Sequence, residues 1–332
     1  MTPWPLFDYF PSLAAELQPV RLCQLPTPVM HLESLGKNAW VKRDDISASE
    51  YGGNKMRKME FVLADMQRRD IRQVFTLGAT GSNAAVAAAM VCRQHDMAFN
   101  LITFPQPDSP TVRTNQSLLK HYGARLISRS SLGNAIATWL IHPQRLLPSS
   151  YFMYAGCSQP EAVFAYVNAV LELALQVAAG DCPMPKDIVV AAGSGATVAG
   201  IAIGAALALP GCRVHAVQVA QGTLGPLDIC TPGVINRFRK GAWTTLRRHA
   251  PKLPAKPDDN LFWHENYLGE GYGMHTDKAR DAMARAKDCG LTLEQTYTGK
   301  AFAAFCDLID QADSPALFWN TYSNTPAPHH TP

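Results

Sequence analysis

The chain has 332 residues, enough for about two domains, and 47% of them are hydrophobic, which allows a sizeable core. With 30 Lys and Arg against 27 Asp and Glu, the net charge of +3 argues against nucleic acid or a membrane surface as a partner. The eight cysteines form no C-x-x-C pair, which points to neither a metal site nor a disulfide ladder. Several sit in apolar runs and read as reduced core residues, as in the cytoplasm. Pro3, Trp4, Pro5 and Asp8 do not make a signal peptide, and no stretch reads as long enough to cross a bilayer. The expectation is a soluble, intracellular protein.

In chain order, residues 1–40 hold two short elements and the loop Leu25–Pro28, and a strand follows at Ala39–Lys42, ahead of Asp44 and Asp45. Tyr51-Gly52-Gly53-Asn54 then ends a loop and opens a helix. Asn54 stands as its N-cap, and Met59, Val62, Leu63 and Met66 recur at i, i+3, i+4, i+7 as one apolar face. Lys55, Arg57 and Lys58 crowd the first turn, where the helix dipole disfavours cations by roughly 0.3–1 kcal/mol each. That pattern fits a solvated basic face, an anion bound at the helix end, or a lysine that has ceased to be a cation.

Alternation follows: a strand at Val74–Leu77, a loop over 78–83, a helix over Ala84–His95, a strand at Ala98–Phe104, a helix over Val112–Tyr122 and a strand at Ala124–Ile127. Such alternation indicates parallel βαβ units. Pro143–Ser150 reads as the crossover between lobes, and Glu161–Ala178 as a helix. Next come a strand at Ile188–Ala192, the turn Gly193–Thr197, a helix stopped by Pro210, and a strand over Arg213–Ala220. Residues 221–262, with Arg237, Arg239, Lys240, Arg247 and Arg248, read as a solvated surface excursion. Helices over Asp277–Cys289 and from Thr298, a strand at Ala316–Thr321 and a frayed tail from Asn324 complete the chain.

A glycine-rich turn between a strand and a helix N-terminus is an anion cradle, because glycine lets the backbone approach and the free N–H groups hold a phosphate. Gly193-Ser194-Gly195-Ala196-Thr197 fits, although such turns also serve plain helix packing. The spacing is not G-x-G-x-x-G, and Ala220-Gln221 supplies no carboxylate for a ribose, which weighs against a dinucleotide. The G-K-[ST] of a Walker loop and the G-x-S-x-G elbow are both absent. A phosphate cradle together with an anomalous lysine points to pyridoxal phosphate, whose aldehyde condenses with a lysine and whose ring accepts electrons from the substrate α-carbon.

Gly52-Gly53-Asn54-Lys55-Met56-Arg57-Lys58-Met59-Glu60, Gly81-Ser82-Asn83, Gly193–Thr197, Gly271-Tyr272-Gly273 and Tyr297-Thr298-Gly299-Lys300 occur in an order that resembles the 1-aminocyclopropane-1-carboxylate deaminases and D-cysteine desulfhydrases. Leu25–Pro28 and Val41–Asp45 fit the same pattern, and the likeness runs from about residue 20 to 322. It implies the tryptophan-synthase-β-like fold type II of pyridoxal phosphate enzymes: α/β, with two lobes, each a twisted, mostly parallel sheet flanked by helices. Residues 1–60 and 161–332 would form the large cofactor-binding lobe and 61–160 the small inserted one, usually in a homodimer. By resemblance, Lys55 is the Schiff-base lysine that also moves the α-proton, and Asn83 meets the ring 3-oxygen. Ser82 meets the substrate carboxylate or assists proton transfer. Gly193, Ser194, Gly195, Ala196 and Thr197 cup the phosphate with help from Lys58, and Tyr272 and Tyr297 face the substrate. Read one by one, Ser82 and Asn83 also fit a helix cap, and Tyr272 fits turn packing.

The departures carry information too. Where the deaminase has a glutamate after the tyrosine matched by Tyr297, this chain has Thr298, which cannot hold a full proton on the ring nitrogen. A weaker electron sink suits β-elimination better than opening a cyclopropane. The usual His-Thr-Gly-Gly of the desulfhydrases is Asn320-Thr321-Tyr322-Ser323 here, so Thr298 and Thr321 both stand as partners of the ring nitrogen. Ala84, Gly81 and Gly156-Cys157-Ser158 also depart from the family pattern, on the substrate side. The leading expectation is a lyase or deaminase acting on a small amino acid, D-cysteine desulfhydrase-like, that releases an oxo acid and ammonia. The alternatives are β-replacement, a pyridoxal-phosphate-binding protein without turnover, and a nicotinamide enzyme, which the missing acidic residue disfavours.

Overall fold

The computed structural model describes residues 2–224, 227–311 and 313–323. Two short helices, α1 (Leu6–Tyr9) and α2 (Ala14–Leu17), lead into β1 (Val29–His31) and β2 (Ala39–Arg43). Helix α3 (Asn54–Arg68) opens an alternating run of β3 (Gln73–Ala79), α4 (Asn83–Gln94), β4 (Ala98–Phe104), α5 (Pro110–His121), β5 (Arg125–Ser128), α6 (Leu132–Ile141) and β6 (Ser150–Met153). Then follow α7 (Ala162–Ala179), β7 (Asp187–Ala192), α8 (Ala196–Ala208) and β8 (Arg213–Gln218). The short strands β9 (Thr223–Leu224) and β10 (Leu227–Asp228) pair antiparallel. Helix α9 (Pro232–His249), β11 (Leu261–His264), α10 (Asp277–Asp288), α11 (Thr298–Ile309) and β12 (Ala316–Asn320) end the described chain.

Two sheets result. The larger has the order β1-β2-β12-β7-β8-β11 and is parallel apart from β1; the smaller, β5-β4-β3-β6, is parallel throughout. Parallel strands must be covered on both faces, so they read as apolar runs, and Ile188, Val189 and Val190 of β7 are fully buried. This is the expected two-lobed α/β architecture.

Helix α8 packs on α7 through Gly200 and Gly204, where a Cβ would come within 2.4 Å of Val163 O and 2.5 Å of Val170 Cβ. Gly200 therefore serves helix packing, outside the anion cradle. Helix α7 is apolar and, at 18 residues, long enough by composition to span a bilayer, contrary to the sequence expectation, but 72% of it is buried as a core helix of this fold.

Other expectations need correction. Residues 221–262 are largely folded: α9 buries Val234, Ile235, Trp243 and Leu246. Arg239 is itself buried and donates to Asp258 O and Asn260 Oδ1. The crossover between sheets follows β6 and so lies beyond residue 153, because β6 still pairs with β3. Helix α6 (Leu132–Ile141) is an element beyond those the sequence pattern indicates. Gly53 at φ +90°, and not Asn54, caps α3. The tail from Asn324 lies outside the described residues.

Candidate active site

A cleft of about 540 Å³ opens at the carboxyl ends of strands from both sheets, where parallel α/β folds place their ligands. Lys55, Ser82, Asn83, Gly193, Ser194, Gly195, Thr197, Tyr272, Tyr297, Thr298 and Thr321 all line it. Lys58 and Ala196 do not reach its surface and are buried beneath it.

The three cations at the start of α3 go to three different places, so the solvated basic face is ruled out. Arg57 is 1% exposed and lies in a buried network: it donates to Asp44 Oδ1 at 2.9 Å, Glu172 Oε1 at 2.9 Å and Thr27 Oγ1 at 2.8 Å. Lys42 adds a second cation to Glu172 at 2.6 Å, while Tyr166 and Trp319 donate to Asp44 Oδ2. The two cations hold the Glu172 carboxyl at about 2. Lys58 points the other way, donating to Gly156 O at 3.0 Å and Ser158 Oγ at 3.2 Å. Burial, and then the neighbouring charge of Lys55, push its pKa well below the usual lysine value. Lys55 faces the cleft, and burial lowers its pKa to about 8.

Lys55 is tied to the glycine turn through Asn54. Lys55 Nζ donates to Asn54 Oδ1 at 2.6 Å, and Asn54 Nδ2 donates to Thr197 Oγ1 at 3.2 Å. The end of β12 locks this arrangement, since Asn54 N bonds Thr321 O at 3.1 Å. A Cβ on Gly53 would lie 2.9 Å from both Thr321 O and Tyr322 O, so only glycine lets the two segments meet.

The turn before α8 is built as a cradle. Gly195 has φ +88°, and a Cβ on Gly193 would lie 3.1 Å from the Tyr297 ring. Ser194 Oγ accepts from Ser158 Oγ at 2.7 Å, and Ser158 in turn receives Lys58. A buried ammonium with only uncharged partners thus sits behind a turn of backbone N–H groups.

Ser82 caps α4, accepting from Ala85 N, so the capping role read for it is real, and its hydroxyl also lines the cleft. Asn83 Oδ1 accepts from Asn115 Nδ2 at 2.6 Å and from the Tyr51 phenol at 3.3 Å, which leaves its own amide N–H groups for the cleft. The phenol oxygens of Tyr272 and Tyr297 are 2.6 Å apart. Burial raises both pKa values, so both remain neutral. Thr298 Oγ1 lies 3.3 Å from Glu294 Oε1 and 3.4 Å from Glu294 O, and accepts from Glu294 N at 3.1 Å.

Sequence reasoning missed two groups. Glu294 lines the cleft and accepts from the backbone N–H of Thr296, Tyr297 and Thr298, capping α11. An acidic residue just before a helix start was the available signal. Ser323 also lines the cleft, and its buried Oγ has no hydrogen-bond partner among the described residues; a single serine after a strand gives no comparable signal.

Residues 20–316 match the family described as pyridoxal-phosphate dependent enzyme, and the chain belongs to that family. A D-cysteine desulfhydrase of Salmonella choleraesuis is 30% identical over 319 residues, covering 91% of this chain and 93% of the relative. A D-cysteine desulfhydrase of Salmonella paratyphi C is 29% identical over the same shares. Among solved structures, an ACC deaminase homologue superposes with a TM-score of 0.76 at 24% identity, covering 95% of this chain and 94% of that one. Within the family, then, the protein is a pyridoxal-phosphate-dependent lyase or deaminase, similar in sequence to the D-cysteine desulfhydrases. The cleft fits the cofactor: a lysine amine, a glycine cradle backed by a buried cation, and a serine hydroxyl without a partner among the described residues converge on it.

Proposed function

We propose that the protein eliminates the β-substituent of a small amino acid, as D-cysteine desulfhydrase-like enzymes do, giving an oxo acid and ammonia. The observation that carries this reading is the chain from Lys55 Nζ through Asn54 to Thr197, which ties one amine to one anion cradle. In this reading Lys55 holds the cofactor aldehyde. Gly193, Ser194, Gly195, Ala196 and Thr197 receive its phosphate, with Lys58 as the countercharge behind them. Asn83 donates to the ring 3-oxygen. Thr298, Thr321 and Ser323 offer hydroxyls to the ring nitrogen; Thr298 is already bonded to Glu294, and among the described residues Ser323 Oγ is buried without a partner. None of the three holds a full proton there, which supports elimination over ring opening.

When bound, pyridoxal phosphate supplies the electron sink for the pair released at the substrate α-carbon. Ser82 and the first turn of α4 bind the substrate carboxylate, where the helix dipole favours an anion. Lys55, whose amine faces the cleft and whose pKa burial lowers towards 8, is the group offered as base for the α-proton. The leaving group departs with its bonding pair, and the coupled phenols of Tyr272 and Tyr297 are placed to protonate it. The unsaturated amino acid so released takes up water to give the oxo acid and ammonia.

On the same footing we take residues 1–60 and 161–332 as a large lobe and 61–160 as a small one, a division the two main sheets support. A cytoplasmic location is supported by eight free cysteines, seven of them buried. A homodimer is supported by the exposed apolar residues Leu140, Ile141, Leu146 and Leu147, which offer a surface to cover. The decisive experiment is a screen of D- and L-amino acids for oxo-acid release by wild type and by Lys55→Ala. Release by the wild type alone supports elimination. A visible band that responds to amino acids without any product would favour a binding protein.

A further inference from the structure

The loop over residues 268–274 is held on both sides of Glu270. Lys300 is fully buried in α11 and donates to Leu268 O at 2.7 Å and to Gly271 O at 3.2 Å. Tyr272 is fixed to Tyr297 at 2.6 Å. Between these anchors Glu270 is exposed at the rim of the cleft and makes no ion pair among the described residues.

Among the described residues lining the cleft, Lys55, Glu270 and Glu294 are the only charged ones. Glu294 is committed to the start of α11, and in the proposed function Lys55 is taken up by the cofactor. Among the described residues lining the cleft, no cationic side chain is left to meet a second anionic group on a substrate. Leu132, Ile136 and Phe104 make much of the small-lobe wall apolar, so an anion placed against them would be desolvated without compensation. Glu270 adds like-charge repulsion at the entrance.

Building on the proposed function, we infer that Glu270 sets the charge class of the substrate: amino acids with a neutral or cationic β-substituent are taken, and those with a carboxylate, phosphate or sulfonate there are refused. Lys300 acts as the positioning residue that holds the gate in place.

The test compares β-chloroalanine, 2,3-diaminopropionate and O-phosphoserine, in both enantiomers, with wild type, Glu270→Gln and Glu270→Lys. Each variant is normalised to wild type for the same substrate, which cancels differences in leaving-group ability. Glu270→Gln should lower the cationic-to-neutral ratio of kcat/KM by about fivefold at low salt. The change should be carried by KM and fade at high ionic strength. Glu270→Lys should raise the relative kcat/KM for the phosphorylated substrate. If a compound is not turned over, the same ratios are read from the concentration that half-shifts the visible band. Equal changes across all three charge classes, with the band intact, would overturn the assignment to Glu270. Loss of the band in wild type would instead refute the cofactor reading beneath it.

Discussion

Replacing Lys58 with methionine should push cofactor affinity and cofactor-free stability in opposite directions. Lys58 is 1% exposed, and its ammonium meets only Gly156 O and Ser158 Oγ, with Ser158 passing the contact on to Ser194 at 2.7 Å. Without the cofactor this is a buried cation lacking a carboxylate, and its strongly lowered pKa reflects that cost. With a phosphate in the turn it becomes half of a buried charge pair. Truncating one partner of such a pair costs about 2–5 kcal/mol, so the cofactor dissociation constant should rise by roughly 30-fold or more in Lys58→Met. The same substitution removes an uncompensated charge, so the cofactor-free protein should gain about 1 kcal/mol, or a few degrees in Tm. Titration of the cofactor followed by visible absorbance, with melting curves in its presence and absence, measures both. Unchanged affinity, or a cofactor-free protein that melts lower than wild type, would refute the placement of Lys58 behind the phosphate.

Lys55, with its pKa lowered to about 8, should capture the cofactor aldehyde at a rate that climbs about tenfold per pH unit up to pH 8 and then levels off. An ordinary lysine would keep climbing to about pH 10, a difference that stopped-flow mixing resolves. Gly53→Ala should destabilise the protein by more than about 1 kcal/mol and loosen cofactor binding, because φ is +90° and the new Cβ would strike two carbonyl oxygens at 2.9 Å. Denaturant unfolding and cofactor titration check that pair of effects. Glu172→Gln should cost about 3–5 kcal/mol, since it leaves Arg57 and Lys42 short of a buried counter-charge. Its wild-type carboxyl titrates at about 2, below the unfolded carboxyl value, so the stability it confers is present above the unfolded pKa. That stability is lost as pH falls towards 2, and Glu172→Gln should flatten this acid limb.

The parallel sheets and the lysine-bearing helix were legible because apolar runs and glycine turns leave local marks. The basic run at 55–58 was legible as an anomaly but not in its resolution, because the partners of Arg57 lie at positions 44 and 172. Helix α9 was hidden by its arginines. Yet Thr231 as N-cap, Pro232 at the first position and the spacing of Val234, Ile235, Phe238, Ala242, Trp243 and Leu246 spell an amphipathic helix. Glu294 carries only the weak mark of an acid ahead of a helix start, and its role rests on the turn that brings it back to the N–H groups of Thr296, Tyr297 and Thr298. Ser323 owes its place to the approach of β12 to Gly53, which no local pattern encodes.

One covalent bond, between the Lys55 amine and the cofactor aldehyde, underlies every role proposed for the cleft. Borohydride reduction of the cofactor-loaded protein, followed by digestion and mass spectrometry, should leave a phosphopyridoxyl group on the peptide that carries Lys55, at that residue. The label on Lys58 or Lys300, or no label on any lysine, would contradict it.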